Sequence, residues 1–172
     1  MTRAVLTDMN QPLGRTVGNA MEVEEAIECL KGEGPGDLAN LTIDLIGDPR
    51  ARAVLESGAA YERFCRMVAE QGGDASAPLH GAGCDEHVVE SKRSGTVTAC
   101  DALAVGRAAF VLGAGRENAD QVIHPGVGVT LHKKVGEAVG AGEPLVTLRA
   151  AGRGVSQSLA LIESAFTITA AS

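Results

Sequence analysis

TDMNQPLGRTVGNAMEVEEAIECL, residues 7–30, reads as a strand end joined to a helix through a loop of specific composition. Arg3 to Leu6 form a short apolar run entering a turn, and Pro12 and Gly14 punctuate that turn. Asn19 stands where a helix N-cap is expected, with Glu22 three residues later as in a capping box. Ala20, Val23, Ile27 and Leu30 then recur at helical spacing. Acidic residues fill the early turns, Lys31 closes the last one and Gly32 follows as a stop.

Working outward, residues 32–36 form a loop, and Asp37 caps a short helix with Leu38, Leu41 and Leu45 on one face. Asp48-Pro49 ends that helix and starts the next, which Gly58 stops. Tyr61, Phe64, Cys65 and Val68 mark one face of a further helix ending at Gly72-Gly73. The stretch GDASAPLHGAG, residues 73–83, has no periodicity and reads as a linker. Beyond it the character changes. His87 to Arg93 and Gly95 to Ala99 are β-like, and Asp101 caps a helix through Leu112 that closes in Gly113-Ala114-Gly115. Val127 to Leu131 and Pro144 to Leu148 read as strands with turns at Gly136 and Gly142, and Leu159, Ile162 and Phe166 define a last helix before a strand over Thr167 to Ala170.

The chain has 172 residues, 45% of them hydrophobic, with no Trp, one Tyr and three Phe. Packing therefore rests on Ala, Val, Leu and Ile, and layers are expected to sit close together. A net charge of -7 disfavours sequence-independent attraction to phosphate backbones, so no nucleic-acid partner is expected. No apolar run reaches the roughly 18 residues of a membrane span, and no signal core follows the N-terminus, which points to the cytoplasm and no membrane. Cys29, Cys65, Cys84 and Cys100 lack metal or redox spacing and are expected as reduced thiols.

Thr7 to Gly14 with Val17-Gly18-Asn19-Ala20 and Glu22-Val23, then GTVTACDALAVGRAAFVLGAGR (Gly95 to Arg116), then HPGVGVTLHKKVGEAVGAGEPLVTL (His124 to Leu148) resemble, in that order, the pyrimidine-nucleoside and thymidine phosphorylases. The resemblance departs at Ile46-Gly47-Asp48-Pro49 and again near residues 75–83. It implies the carboxyl-terminal portion of such an enzyme and an α+β fold. Residues 1–73 would be a mostly helical remnant of an α/β domain, 74–83 a linker and 84–172 a small α+β domain with hammerhead-like strands.

The family transfers a pentose from a pyrimidine nucleoside to phosphate, giving free base and pentose 1-phosphate. Its Lys-His-Ser glycine-rich phosphate loop, and its Arg, Ser and Lys for the base, lie upstream of TDMNQPLG and have no counterpart here. The expectation is therefore no catalytic residues and no activity alone, with a separate amino-terminal half or a homodimer as partner. His80, His87, His124 and His132 are too scattered to rebuild a site.

The resemblance also implies part of a potassium site, with backbone carbonyls of Leu13 and Thr16 and the carboxylate of Glu25. Its remaining ligands lie upstream, so the ion is expected in the full-length context and no cofactor is required by the chain alone. Against it stands a plain alternative, in which Glu25 is one more solvated acid beside Glu22, Glu24 and Glu28. Asp8, Asn10 and Gln11 are expected to serve turn chemistry. The glycine-punctuated strands also resemble biotinyl and lipoyl carriers, but Lys133-Lys134 lack the flanks of a modified lysine.

Overall fold

The computed structural model describes residues 2, 4–79 and 83–170. In chain order the elements are β1 (Thr16–Val17), α1 (Asn19–Lys31), α2 (Gly36–Ile46), α3 (Ala51–Glu56), α4 (Ala59–Glu70), β2 (Asp85–Glu90), β3 (Gly95–Cys100) and α5 (Ala102–Ala109). A π turn over Phe110–Ala114 extends α5, and β4 (Gly128–Leu131), β5 (Ala138–Val139), β6 (Pro144–Ala150), α6 (Val155–Ala165) and β7 (Phe166–Thr169) follow. This is the α+β arrangement expected, helical first and mixed afterwards.

Every strand pairing is antiparallel. One sheet runs β1-β4-β6-β2 and the other β5-β3-β7. Strand β6 is central in the first sheet, and its sequence shows why. Leu145, Val146, Leu148 and Ala150 are buried while Thr147 and Arg149 between them are only half-covered. Pro144 opens the strand, where a missing N–H disturbs the ladder least. At the outer edge β2 carries Asp85, Glu86 and Glu90, charges that keep an unpaired edge from recruiting another strand.

The core gathers Val97, Val105, Leu112, Val127, Val129, Leu131, Val146, Leu148 and Ile162 from both sheets and from the α5 and α6 layer. Small residues set the spacing. Ala104, Ala108 and Ala109 of α5 face Ser158 and Ala165 of α6, close enough for Ser158 Oγ to donate to the Ala108 carbonyl at 2.9 Å. Asp101 caps α5 as the sequence indicates, its Oδ1 accepting from the Leu103 and Ala104 amides at 2.9 and 3.3 Å. By contrast α2, α3 and α4 bury no side chain fully, and Leu45 and Ile46 stand 58% and 60% exposed.

Several expectations shift. The apolar opening run forms no strand among its described residues, and Leu6 is fully exposed. Asn19 is the first helical residue and not the cap; its Nδ2 donates to the Ala114 carbonyl at 2.9 Å. Gly18 takes the cap position because the backbone there lies against β4: a Cβ on Gly18 would meet the Val127 carbonyl oxygen at 2.6 Å. Glu22 still reaches back, accepting from the Gly18 amide at 3.1 Å, so the acid performs its capping role on a different residue. Val23 faces solvent, and Met21 and Glu25 are buried in its place. Asp37 lies inside the first turn of α2 and not before it, and Pro49 precedes α3 by two residues. Phe166 begins β7 in place of ending α6, and β5 has no counterpart in the expected strands.

Candidate functional site

The loop between Pro12 and β1 is shaped by one glycine. Gly14 has φ of +69°, and a Cβ there would lie 2.1 Å from Glu25 Oε2. Only glycine lets the α1 carboxylate come this close to the loop backbone. Glu25 is 6% exposed, and its Oε1 accepts from the Arg15 amide at 2.8 Å. Glu25 is thus no solvated acid, in contrast to the plain alternative.

Burial raises the Glu25 pKa above its ordinary value; the Arg15 amide opposes the rise, and the negative charge of Asp37 adds to it. Leu13, Thr16 and Glu25 line one cleft of about 380 Å³, with Pro12, Glu22 and Leu38 among its other walls. The structure therefore brings the three sequence-derived residues together. Three oxygens fall short of the six to eight that a hard divalent cation such as calcium takes, so water or another segment has to complete any shell. The donor set itself fits a cation. It is acidic and partly desolvated, with Glu22 and Asp37 close by, charges that disfavour an anion such as phosphate. Glu25 also offsets the positive end of α1, which begins beside the cleft. Among the described residues no group of three or more His, Cys, Asp or Glu side chains forms a metal cluster.

A second set of contacts clasps the loop from outside, and nothing local in the sequence announces it. Asp37 Oδ2 accepts from the Gly14 amide at 3.2 Å, and Lys134 Nζ donates to the Gly14 carbonyl at 2.9 Å while pairing with Asp37. Lys134 is 8% exposed. The Arg15 guanidinium pairs with Glu137 and donates to the His132 carbonyl at 3.1 Å, and Glu137 Oε2 accepts from the Lys134 amide at 2.9 Å. The Leu131 amide donates to the Arg15 carbonyl at 2.7 Å. Sequence separations of 97 to 122 residues hide the contacts of Lys134 with Gly14 and Asp37, and of Arg15 with His132 and Glu137, from any periodicity or spacing argument.

The remaining candidates separate. Asp8 Oδ1 accepts from the Asn10 amide at 2.9 Å and from its Nδ2 at 2.7 Å, an Asx-type turn as expected. Gln11 departs from local turn chemistry, its Oε1 accepting from the Val135 amide at 3.1 Å. His87 lies on β2, His124 is exposed and donates its amide to the Gly113 carbonyl at 2.9 Å, and the His132 ring meets Thr147 Oγ1 at 2.7 Å. His80 lies outside the described residues. Lys133 Nζ is engaged by the Ala138 carbonyl at 2.9 Å and by Glu143 at 3.0 Å. The cysteines are free thiols, and burial pushes Cys100 up to about 11, leaving it unreactive near neutrality. No helix among the described residues is long and apolar enough to cross a membrane.

Two antiparallel sheets, an α5 and α6 layer and a glycine-rich β4 to β6 hairpin define the class: residues 96–169 match the pyrimidine nucleoside phosphorylase C-terminal domain. The similarity continues through the loop and α1. Over 156 residues the chain is 49% identical to the thymidine phosphorylase of Mycobacterium tuberculosis (strain ATCC 25618 / H37Rv), covering 86% of this chain and 36% of that protein. It is 39% identical over 180 residues to the pyrimidine-nucleoside phosphorylase of Bacillus subtilis (strain 168), covering 94% of this chain and 42% of the relative. The Staphylococcus aureus (strain NCTC 8325 / PS 47) pyrimidine-nucleoside phosphorylase is 38% identical over 186 residues, 97% of this chain and 43% of its own. The chain corresponds to the C-terminal part of the thymidine and pyrimidine-nucleoside phosphorylases and spans about two fifths of these relatives' length.

Proposed function

We propose that this polypeptide serves pyrimidine-nucleoside phosphorolysis as a C-terminal scaffold and does not perform it by itself. The observation that carries this reading is the lopsided coverage: nearly all of this chain aligns with named phosphorylases, and less than half of each of them aligns with it. The reaction of a pyrimidine nucleoside with phosphate to give base and pentose 1-phosphate needs donors for a dianion and for charge developing on the departing base. Those donors belong to a segment upstream of TDMNQPLG. In this reading the chain contributes Leu13, Thr16 and Glu25 to a potassium ion whose other ligands come from that segment, and it works in the cytoplasm, where its free thiols stay reduced.

The test is a phosphorolysis assay with thymidine and uridine, on the 172-residue chain and on its mixture with a phosphorylase amino-terminal half ending just before Thr7. Turnover only in the mixture is expected. Release of thymine or uracil by the chain alone refutes the reading.

The α2 to α4 layer favours a second reading, a non-catalytic assembly module. These helices bury no side chain fully and leave an apolar cleft of about 380 Å³ walled by Leu30, Ile43, Ile46, Val54 and Leu55. The occupant that fits is the amino-terminal half itself, since more than half of each relative lies outside the match. Binding of that half without any turnover separates this reading from the first.

A further inference from the structure

We propose that Lys134 and Asp37 are positioning residues for the 13–16 loop, so that a monovalent cation binds there only while the β4 to β5 connection is docked on it. The proposal rests on the cation reading of Leu13, Thr16 and Glu25.

The geometry that carries it is a two-sided grip on the two peptide units that meet at Gly14, the first of which carries the Leu13 carbonyl. Gly14 gives its amide to Asp37 at 3.2 Å and its carbonyl to Lys134 at 2.9 Å, and the two side chains pair with each other. The neighbouring amide, that of Arg15, goes to Glu25 at 2.8 Å. Leu13 and Thr16, the two residues whose carbonyls would face the ion, flank this gripped pair. A carbonyl serves as an ion ligand only if its peptide plane is held, and glycine at φ of +69° does not hold itself. Lys134 supplies the hold from within the 96–169 domain, and Asp37 from the helical part.

Charge makes the arrangement informative. A buried ammonium beside a cation site repels the cation, and Asp37 neutralises it. The other cation nearby, Arg15, is likewise paired, with Glu137. Two roles for Lys134 therefore predict opposite results on its removal. If it acted through charge alone, Lys134→Met would strengthen potassium binding, because an unpaired Asp37 is left near the cleft. If it positions the loop, the same change abolishes binding.

The experiment is thermal unfolding of the 172-residue chain mixed with a phosphorylase amino-terminal half ending just before Thr7, which supplies the remaining ligands, in potassium chloride against choline chloride at equal ionic strength. The readout is the potassium-specific rise in Tm, which a general loss of stability does not remove. The expected result is a rise in the parent and in the surface control Lys92→Met, and none in Lys134→Met. Asp37→Asn combined with Lys134→Met keeps the site free of an orphaned charge, and it too is expected to show no rise. An undiminished or larger rise in either Lys134 variant overturns the positioning role while leaving the cation reading intact. Absence of any rise in the parent mixture overturns the cation reading, and the proposal with it.

Discussion

At the scale of single residues, the two acids that hold the loop, Glu25 of α1 and Asp37 of α2, are shifted in opposite senses. Burial lifts Glu25, so its folded pKa lies above the ordinary 4.5; the stability linked to it is complete below that value and is lost as pH rises through the raised one. For Asp37 partial burial opposes ionisation, but the hydrogen bond and charge of Lys134 outweigh it and hold the carboxyl below the ordinary 3.8. Its contribution is present above that value and is lost as pH falls through the depressed one. Glu25→Gln keeps an acceptor for the Arg15 amide and removes the cost of the buried charge. In potassium-free buffer it is therefore expected to raise Tm at pH 7 and to have little effect below pH 4, a range set by the ordinary carboxylate values. Asp37→Asn is expected to do the reverse, lowering Tm at neutral pH and flattening its fall in acid. Thermal melts across pH 2.5 to 8 read both; a lower Tm for Glu25→Gln at neutral pH would mean that the carboxylate is already charge-compensated within the fold.

At the scale of elements, what sequence reveals depends on how far a residue's partners lie. Asp101 was legible because its partners, the Leu103 and Ala104 amides, are two and three residues away. Replacing it by alanine leaves those amides without an acceptor at the start of a helix that packs on α6. The expected cost is about 1 kcal/mol, the usual worth of such a cap, measured by urea unfolding as a lower midpoint with unchanged slope. Asn19 was misread for the complementary reason. Its spacing to Glu22 fits a cap, but the close approach of Gly18 to Val127 moves the helix boundary by one residue. The short strand β5 carries no alternation that two residues could display. Lys134 reads as half of a lysine pair in a hairpin, and only the docking of that hairpin on Gly14 and Asp37 makes it a buried, paired group.

At the scale of the whole molecule, the chain is unevenly covered. The core drawn from residues 97–168 is closed on both faces by two sheets and a helical layer, whereas α2, α3 and α4 hold only half-buried faces. Fully burying a Leu or Ile side chain is worth about 1.5–3 kcal/mol, and Leu45 and Ile46 leave most of that unrealised within the chain. Exposed side chains contribute little to the stability of what exposes them, so Leu45→Asp with Ile46→Asp is expected to change the Tm of the chain by no more than a degree or two. The same pair should abolish binding to a phosphorylase amino-terminal half in sedimentation velocity, and with it any turnover that mixing restores. The two readouts together distinguish a covered interface from a merely soluble surface. Loss of binding with stability unchanged assigns the α2 to α4 face to contact with that half. Unchanged binding moves the contact elsewhere, and a large fall in Tm would show that these side chains already support the isolated fold.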